Sequence, residues 1–149
     1  IKIIDFGLSK KYISKGKHIE YKTEKSLVGT SRYMSVNIHK GIEASRRDDL
    51  ISLGYMLIWL QLPKLPWQGI KHTTEDGRLN QVRRLKTVIT CEELCKNIDG
   101  DIFRKYLENV VNLKFDEEPN YDYLIRLFSQ ELRKNGWFLS KYDFNNHSV

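Results

Sequence analysis

The 149-residue chain is 40% hydrophobic and 30% charged, an ordinary globular composition that permits a hydrophobic core and argues against a chain disordered throughout. Its longest nearly apolar run, Leu50 to Leu60, is broken by Ser52 and Gly54 and is too short to cross a bilayer. The formal charge of +6 favours anionic partners, whether phosphate groups, acidic peptides, lipid or nucleic acid, without choosing among them.

In chain order, residues 1–5 read as a short apolar strand that ends in Asp5-Phe6-Gly7. A carboxylate in that position suits a Mg²⁺ held against nucleotide phosphates, with the glycine giving the backbone freedom to turn. Residue 1 is Ile and no turn or polar leader precedes the strand, so the natural chain is expected to continue upstream. Residues 8–35 are rich in Lys, Ser, Thr and Gly with little periodicity and read as a long loop, a length that implies function or disorder. Residues 48–60 read as a helix with Asp48 and Asp49 at its positive N-terminal end. It is apolar nearly all round, which places it at the centre of a domain and predicts apolar surface left uncovered along it in these residues alone. Pro63, Pro66 and Gly69 punctuate a loop from which Trp67 should pack back onto the body.

A polar helix is expected near residues 72–86 and a short one at 91–97. Residues 101–114 place Ile102, Phe103, Tyr106, Leu107 and Val110 at helical spacing, and residues 120–134 do the same with Tyr121, Leu124, Ile125, Phe128 and Leu132. Asn120 or Pro119 marks the start of that last helix and Gly136 its stop. These stripes read as core faces. Cys91 and Cys95 share one helical face, unlike a redox Cys-x-x-Cys pair, and His18, His39, His72 and His147 are scattered, so two reduced thiols in an intracellular protein are expected in place of a zinc site. No internal repeat or domain boundary stands out.

Asp5-Phe6-Gly7, Gly29-Thr30-Ser31-Arg32-Tyr33 and Asp49-Leu50-Ile51-Ser52-Leu53-Gly54 stand in the order and spacing of the protein kinase C-terminal lobe. More narrowly, Leu8-Ser9-Lys10-Lys11-Tyr12, Ser35-Val36-Asn37-Ile38-His39, Ser45-Arg46-Arg47-Asp48-Asp49 and Leu65-Pro66-Trp67-Gln68-Gly69 resemble the casein kinase I family. Most kinases close the activation segment with Ala-Pro-Glu; Ser35-Val36-Asn37 here resembles that family's own variant. The resemblance implies a mainly α fold, the C-terminal lobe of a two-lobe α+β kinase domain over residues 1–144. Within it, residues 1–7 would be the strand and Asp-Phe-Gly, 8–37 the activation segment and 38–144 the helical subdomain, with 145–149 a tail. Lys141-Tyr142-Asp143-Phe144 resembles the family's domain end.

It also implies ATP and Mg²⁺ as cofactors and protein substrates carrying acidic or phosphorylated residues upstream of the target serine or threonine. By this likeness Asp5 is the Mg²⁺ ligand, Phe6 packs toward the helix of the other lobe, and Ile4 lines the adenine pocket. Thr30 contacts the catalytic loop and Asp49 anchors that loop's backbone. Arg32, Gly69 and Arg78 take the three positions of an anion pocket. The family has a basic Thr-Lys-Lys-Gln-Lys-like run where this chain reads Thr74-Glu75-Asp76-Gly77-Arg78. Arg78 can replace the usual Lys as a bidentate phosphate clamp, but Glu75 and Asp76 lower the local positive potential and remove a targeting run. An intracellular protein, cytoplasmic and nuclear, is expected, with no support for localisation by that signal.

The glycine-rich loop, the strand lysine with its helix glutamate, and His-Arg-Asp are not among these residues, so this segment is expected to be inactive by itself and part of an active parent kinase. One alternative is a kinase-like scaffold or interaction module without catalysis. Another is nucleic-acid binding through Lys10-Lys11 and Lys15-Gly16-Lys17-His18, but a charge run is ordinarily a solvated face and no aromatic stacking platform accompanies it.

Overall fold

The computed structural model describes residues 2–136; the expected domain end at Lys141–Phe144 and the tail at 145–149 lie outside the described residues. The order of elements is a hairpin of β1 (Ile13–Ser14) and β2 (Lys17–His18), then α1 (Val36–His39), α2 (Arg46–Gln61), α3 (Glu75–Val88), α4 (Cys91–Cys95), α5 (Ile102–Val111) and α6 (Tyr121–Lys134). The protein is mostly helical, as expected of a kinase C-terminal lobe. The chain forms two compact units, Ile1–Pro119 and Asn120–Val149. The break falls where Pro119 ends one run and the Asn120 side chain accepts the Tyr123 amide to cap α6 at 3.0 Å.

Residues 2–6 form no strand, contrary to the sequence expectation. A strand is held by a neighbour's hydrogen-bond ladder, and no described segment lies alongside to supply one. Ile3, Ile4 and Phe6 are 82%, 80% and 68% exposed. The long loop instead contains the small β1–β2 hairpin, with Ile13 opposite His18 and Ser14 opposite Lys17. Its two-residue turn, Lys15 at φ 50° and Gly16 at φ 75°, has the positive φ pair that matches the twist of a tight hairpin. The hairpin folds back onto Phe115: the His18 and Tyr21 rings meet that ring edge-on at 4.9 and 5.3 Å.

Helix α2 is the central element of the first unit. Ile51, Tyr55 and Ile58 are buried, whereas Leu53, Met56 and Leu60 on the same helix are exposed, so it has one covered and one open apolar face. It packs on α5, α5 also meets α4, and α1 meets α3. The α2–α5 crossing is close because Gly54 lies at it: a Cβ there would come within 2.7 Å of Leu107 Cδ2 and 3.0 Å of Tyr106 Cε1. The Tyr106 hydroxyl donates to the Leu50 carbonyl at 3.0 Å and secures the same crossing. Trp67 is buried as expected, its ring edge-on to Tyr55 at 4.9 Å.

Gly54→Ala should lower the free energy of unfolding by about 2 kcal/mol, the usual cost of overpacking a tight core contact; a denaturant midpoint unchanged from the parent protein would show that Leu107 and Tyr106 yield freely.

Candidate functional site

Several elements converge on residues 31–34. This stretch is a turn in which the Tyr33 and Met34 amides donate to the Thr30 carbonyl at 2.9 and 3.1 Å. From the 62–69 loop, Trp67 Nε1 donates to the Arg32 carbonyl at 2.8 Å. From α3, Arg78 Nη1 reaches Ser31 Oγ in a long hydrogen bond of 3.5 Å, and Lys86 Nζ donates to the carbonyls of Ser31 at 2.8 Å and Met34 at 2.6 Å. The Arg32 guanidinium lies over the rings of Tyr33 and Trp59, at 5.7 and 5.6 Å from their centroids. Those rings meet edge-on at 6.1 Å, so the cation has an aromatic cradle.

Gly69 adopts φ 75°, a conformation that side chains disfavour, and no other heavy atom lies within 4 Å of where its Cβ would stand. Glycine is needed here for backbone conformation and not for space. Arg78 occupies the first turn of α3, whose N-cap Thr74 accepts the Gly77 amide at 3.1 Å. The Arg78 fork is occupied by Glu75: Nε donates to Oε2 at 2.9 Å and Nη2 to Oε1. This exposed pairing lowers the Glu75 pKa and raises that of Arg78. Arg32, Gly69 and Arg78 thus belong to three segments linked to one turn, Arg32 within it, Arg78 through Ser31, and the Gly69 loop through Trp67.

Just beyond the turn, a buried carboxylate gathers the chain. Asp48, 0% exposed at the head of α2, accepts Ser35 Oγ–H at 2.6 Å and Asn37 Nδ2–H at 3.0 Å on one oxygen, and the Ser45 amide at 3.0 Å on the other. Ser35 Oγ in turn accepts the Ile38 amide and caps α1. Asp48 therefore ties Ser35 and Asn37 to α2. Neighbouring Asp49 is exposed as a residue, yet desolvation of its carboxyl, and secondarily the Asp48 charge, raises its pKa.

Lys86 and His39 form the buried polar centre beneath the turn. Lys86 is 4% exposed, with its ammonium 4.9 Å from the Trp67 ring centroid and 5.1 Å from that of Tyr55. Burial pulls its pKa down to about 7, against the two carbonyls and two ring faces that favour the charged form. His39 Nε2 lies 3.3 Å from Lys86 Nζ. Burial first, then the Lys86 charge, lowers the His39 pKa to about 4, so the ring is neutral near pH 7 and can accept from the ammonium.

Sequence reasoning missed Asp48, Lys86 and His39 as site-forming groups. The signal for Lys86 is its place four residues after buried Val82, on the apolar stripe of an otherwise polar helix. Asp48 was read only as a helix-dipole acid. No sequence signal distinguishes His39 from the other histidines.

The remaining expected residues lie elsewhere in the first unit. Asp5 has φ 61°, and its Oδ1 accepts the Gly7 amide at 3.2 Å; Ile4 is exposed. Thr30 contributes its carbonyl to the turn and is itself exposed. Its expected partner, the catalytic loop, is not among these residues.

A protein kinase domain model matches residues 1–132. This chain belongs to the protein kinase family. Kinases transfer the γ-phosphoryl group of Mg²⁺-bound ATP, and the metal supplies charge neutralisation at the phosphates. Asp5 fits that use as one hard oxygen donor on an exposed turn, with its Oδ1 oriented by Gly7. Among the described residues no three His, Cys, Asp or Glu side chains cluster into a metal cage. In this kinase chain the Asp48 network ties residues 35–37 to α2, with the Ser35 and Asn37 side chains as donors. No described helix is long and apolar enough to cross a membrane.

Asp48→Ala should cost about 3 kcal/mol, because it strands buried donors from Ser35, Asn37 and Ser45; urea unfolding of the two proteins measures the difference. A pH titration of stability tests His39. Unfolded, the imidazole titrates near 6.5; folded, near 4. The unfolded state binds more protons between these values, so this contribution is complete above about 6.5 and lost as the pH falls toward 4, on the order of 3 kcal/mol in full. His39→Gln should flatten the stability slope in that window while leaving stability at pH 8 nearly unchanged.

Proposed function

We propose that this chain is the substrate-binding lobe of an active serine/threonine kinase of the casein kinase I type, directed to proteins with acidic or phosphorylated residues upstream of the target hydroxyl. The observation that carries the reading is the linkage of Arg32, Gly69 and Arg78 to the single turn 30–34. Two guanidinium groups suit a phosphate in charge and in their forked donors, and the Gly69 loop is tied to the same turn through Trp67. The Arg32 guanidinium is held between aromatic faces and loses little freedom on binding. Arg78 brings Nε and Nη2 to the phosphate only by leaving Glu75, while Nη1 already faces Ser31, and a dianion competes for that fork better than a single carboxylate does.

In the same reading Asp5 holds Mg²⁺, Ile4 borders the adenine and Thr30 meets the catalytic loop. Asp49, whose raised pKa reflects desolvation, anchors that loop's backbone. Catalysis by the intact protein, as opposed to a scaffold role, is favoured by the retention of Asp5 and Gly7. An intracellular setting, cytoplasmic and nuclear, accords with the free thiols Cys91 and Cys95.

In the full-length kinase, Arg32→Glu should reduce kcat/KM for a phosphoserine-primed peptide at least roughly tenfold more than for its unprimed counterpart, the scale of one lost charge-assisted hydrogen bond. Equal losses on both peptides would overturn the pocket.

A further inference from the structure

A lysine is almost never fully buried unless its charge is paired. Lys86 is 4% exposed and makes no ion pair with a carboxylate among the described residues. Its ammonium is instead met by the Ser31 and Met34 carbonyls, the Trp67 and Tyr55 ring faces and neutral His39. The two carbonyls flank Arg32 and Tyr33. Trp67, against which the ammonium rests, itself holds the Arg32 carbonyl, so the main chain on both sides of Arg32 is fixed from one point on α3. The same helix carries Arg78, two turns earlier.

We infer that Lys86 is a positioning residue for phosphate recognition: its ammonium pins the turn that presents Arg32 and keeps that turn in register with Arg78 on the same helix. The inference deepens the anion-pocket reading and rests on it. A neutral side chain of similar length fills the volume but takes the Lys86 donor from the buried Met34 carbonyl and the part-buried Ser31 carbonyl. The turn must then shift to find water or other donors, and a displacement of about 1 Å is enough to uncouple a clamp made of several charged contacts. An ordinary core lysine, by contrast, would affect stability without affecting which peptide is bound.

Binding is the readout, because it reports on the pocket independently of phosphoryl transfer. Full-length wild-type protein and the variants Lys86→Met, Trp67→Phe and Arg32→Gln are titrated into a fluorescent phosphoserine peptide and its unphosphorylated twin, with anisotropy giving Kd and a thermal melt confirming folding. Lys86→Met is expected to weaken phosphopeptide binding about tenfold, to change binding of the unphosphorylated peptide less than twofold, and to speed amide hydrogen exchange at residues 31–35. Trp67→Phe keeps a smaller aromatic face but deletes the 2.8 Å bond to the Arg32 carbonyl; it is expected to shift the same ratio about threefold, and carries the test if Lys86→Met does not fold. A folded Lys86→Met protein with wild-type Kd and exchange overturns the role, as does an unfolded one accompanied by a silent Trp67→Phe. If Arg32→Gln weakens phosphopeptide binding and the Lys86 and Trp67 variants do not, only the positioning role fails. If Arg32→Gln also binds normally, the pocket itself fails and this inference with it.

Discussion

A buried ammonium and a buried carboxylate hold successive parts of residues 31–37, an irregular turn that leads into α1, and the candidate site depends on both. Irregular backbone can enter a protein interior only if its polar groups find partners there. Lys86 supplies donors to the carbonyls of Ser31 and Met34, and Asp48 accepts from the side chains of Ser35 and Asn37. Each charge is satisfied largely by neutral polar groups instead of an opposite charge, although Arg47 Nε lies 3.7 Å from Asp48. Removing either charge would therefore strand several partners at once.

These anchors explain how a segment with so little regular structure can present a specific set of donors. The rest of it is fastened by the β1–β2 hairpin on Phe115 and by Glu43, which pairs with Lys10 and Lys25 and has its pKa lowered chiefly by the hydrogen bond from Lys10. Two backbone bonds, Lys25 N to Gly41 O and Glu43 N to Lys22 O, both 2.9 Å, lay residues 22–25 along 41–43. Some of the cationic side chains counted in the composition are thus engaged locally, Lys10 and Lys25 at Glu43 and Arg78 at Glu75. Net charge alone was a poor guide to where an anion would bind.

Helices α5 and α6 were legible because each combines an apolar period with end chemistry. The expected 101–114 and 120–134 became Ile102–Val111 and Tyr121–Lys134, and Thr90 with Glu93 forms the capping box that starts the short Cys91–Cys95 helix. The hairpin was missed although Lys15-Gly16 is a two-residue turn, since strands of two residues carry no alternation to read. The expected strand at 1–5 failed for a different reason: apolar character is local, whereas a ladder requires a neighbour.

By itself, the sequence determined the helical elements, the position of the Asp-Phe-Gly turn and the resemblance that named Arg32, Gly69 and Arg78, because all of these depend on residue type and spacing along the chain. Only the tertiary structure decided that Asp48 and Lys86 are the anchors, that Arg32 lies between Tyr33 and Trp59, and that Glu75 already holds Arg78. A charged residue's role is set by what surrounds it after folding. A lysine on a polar helix and an aspartate at a helix start look like surface residues until the groups brought from 47 to 55 and 11 to 13 positions away bury them.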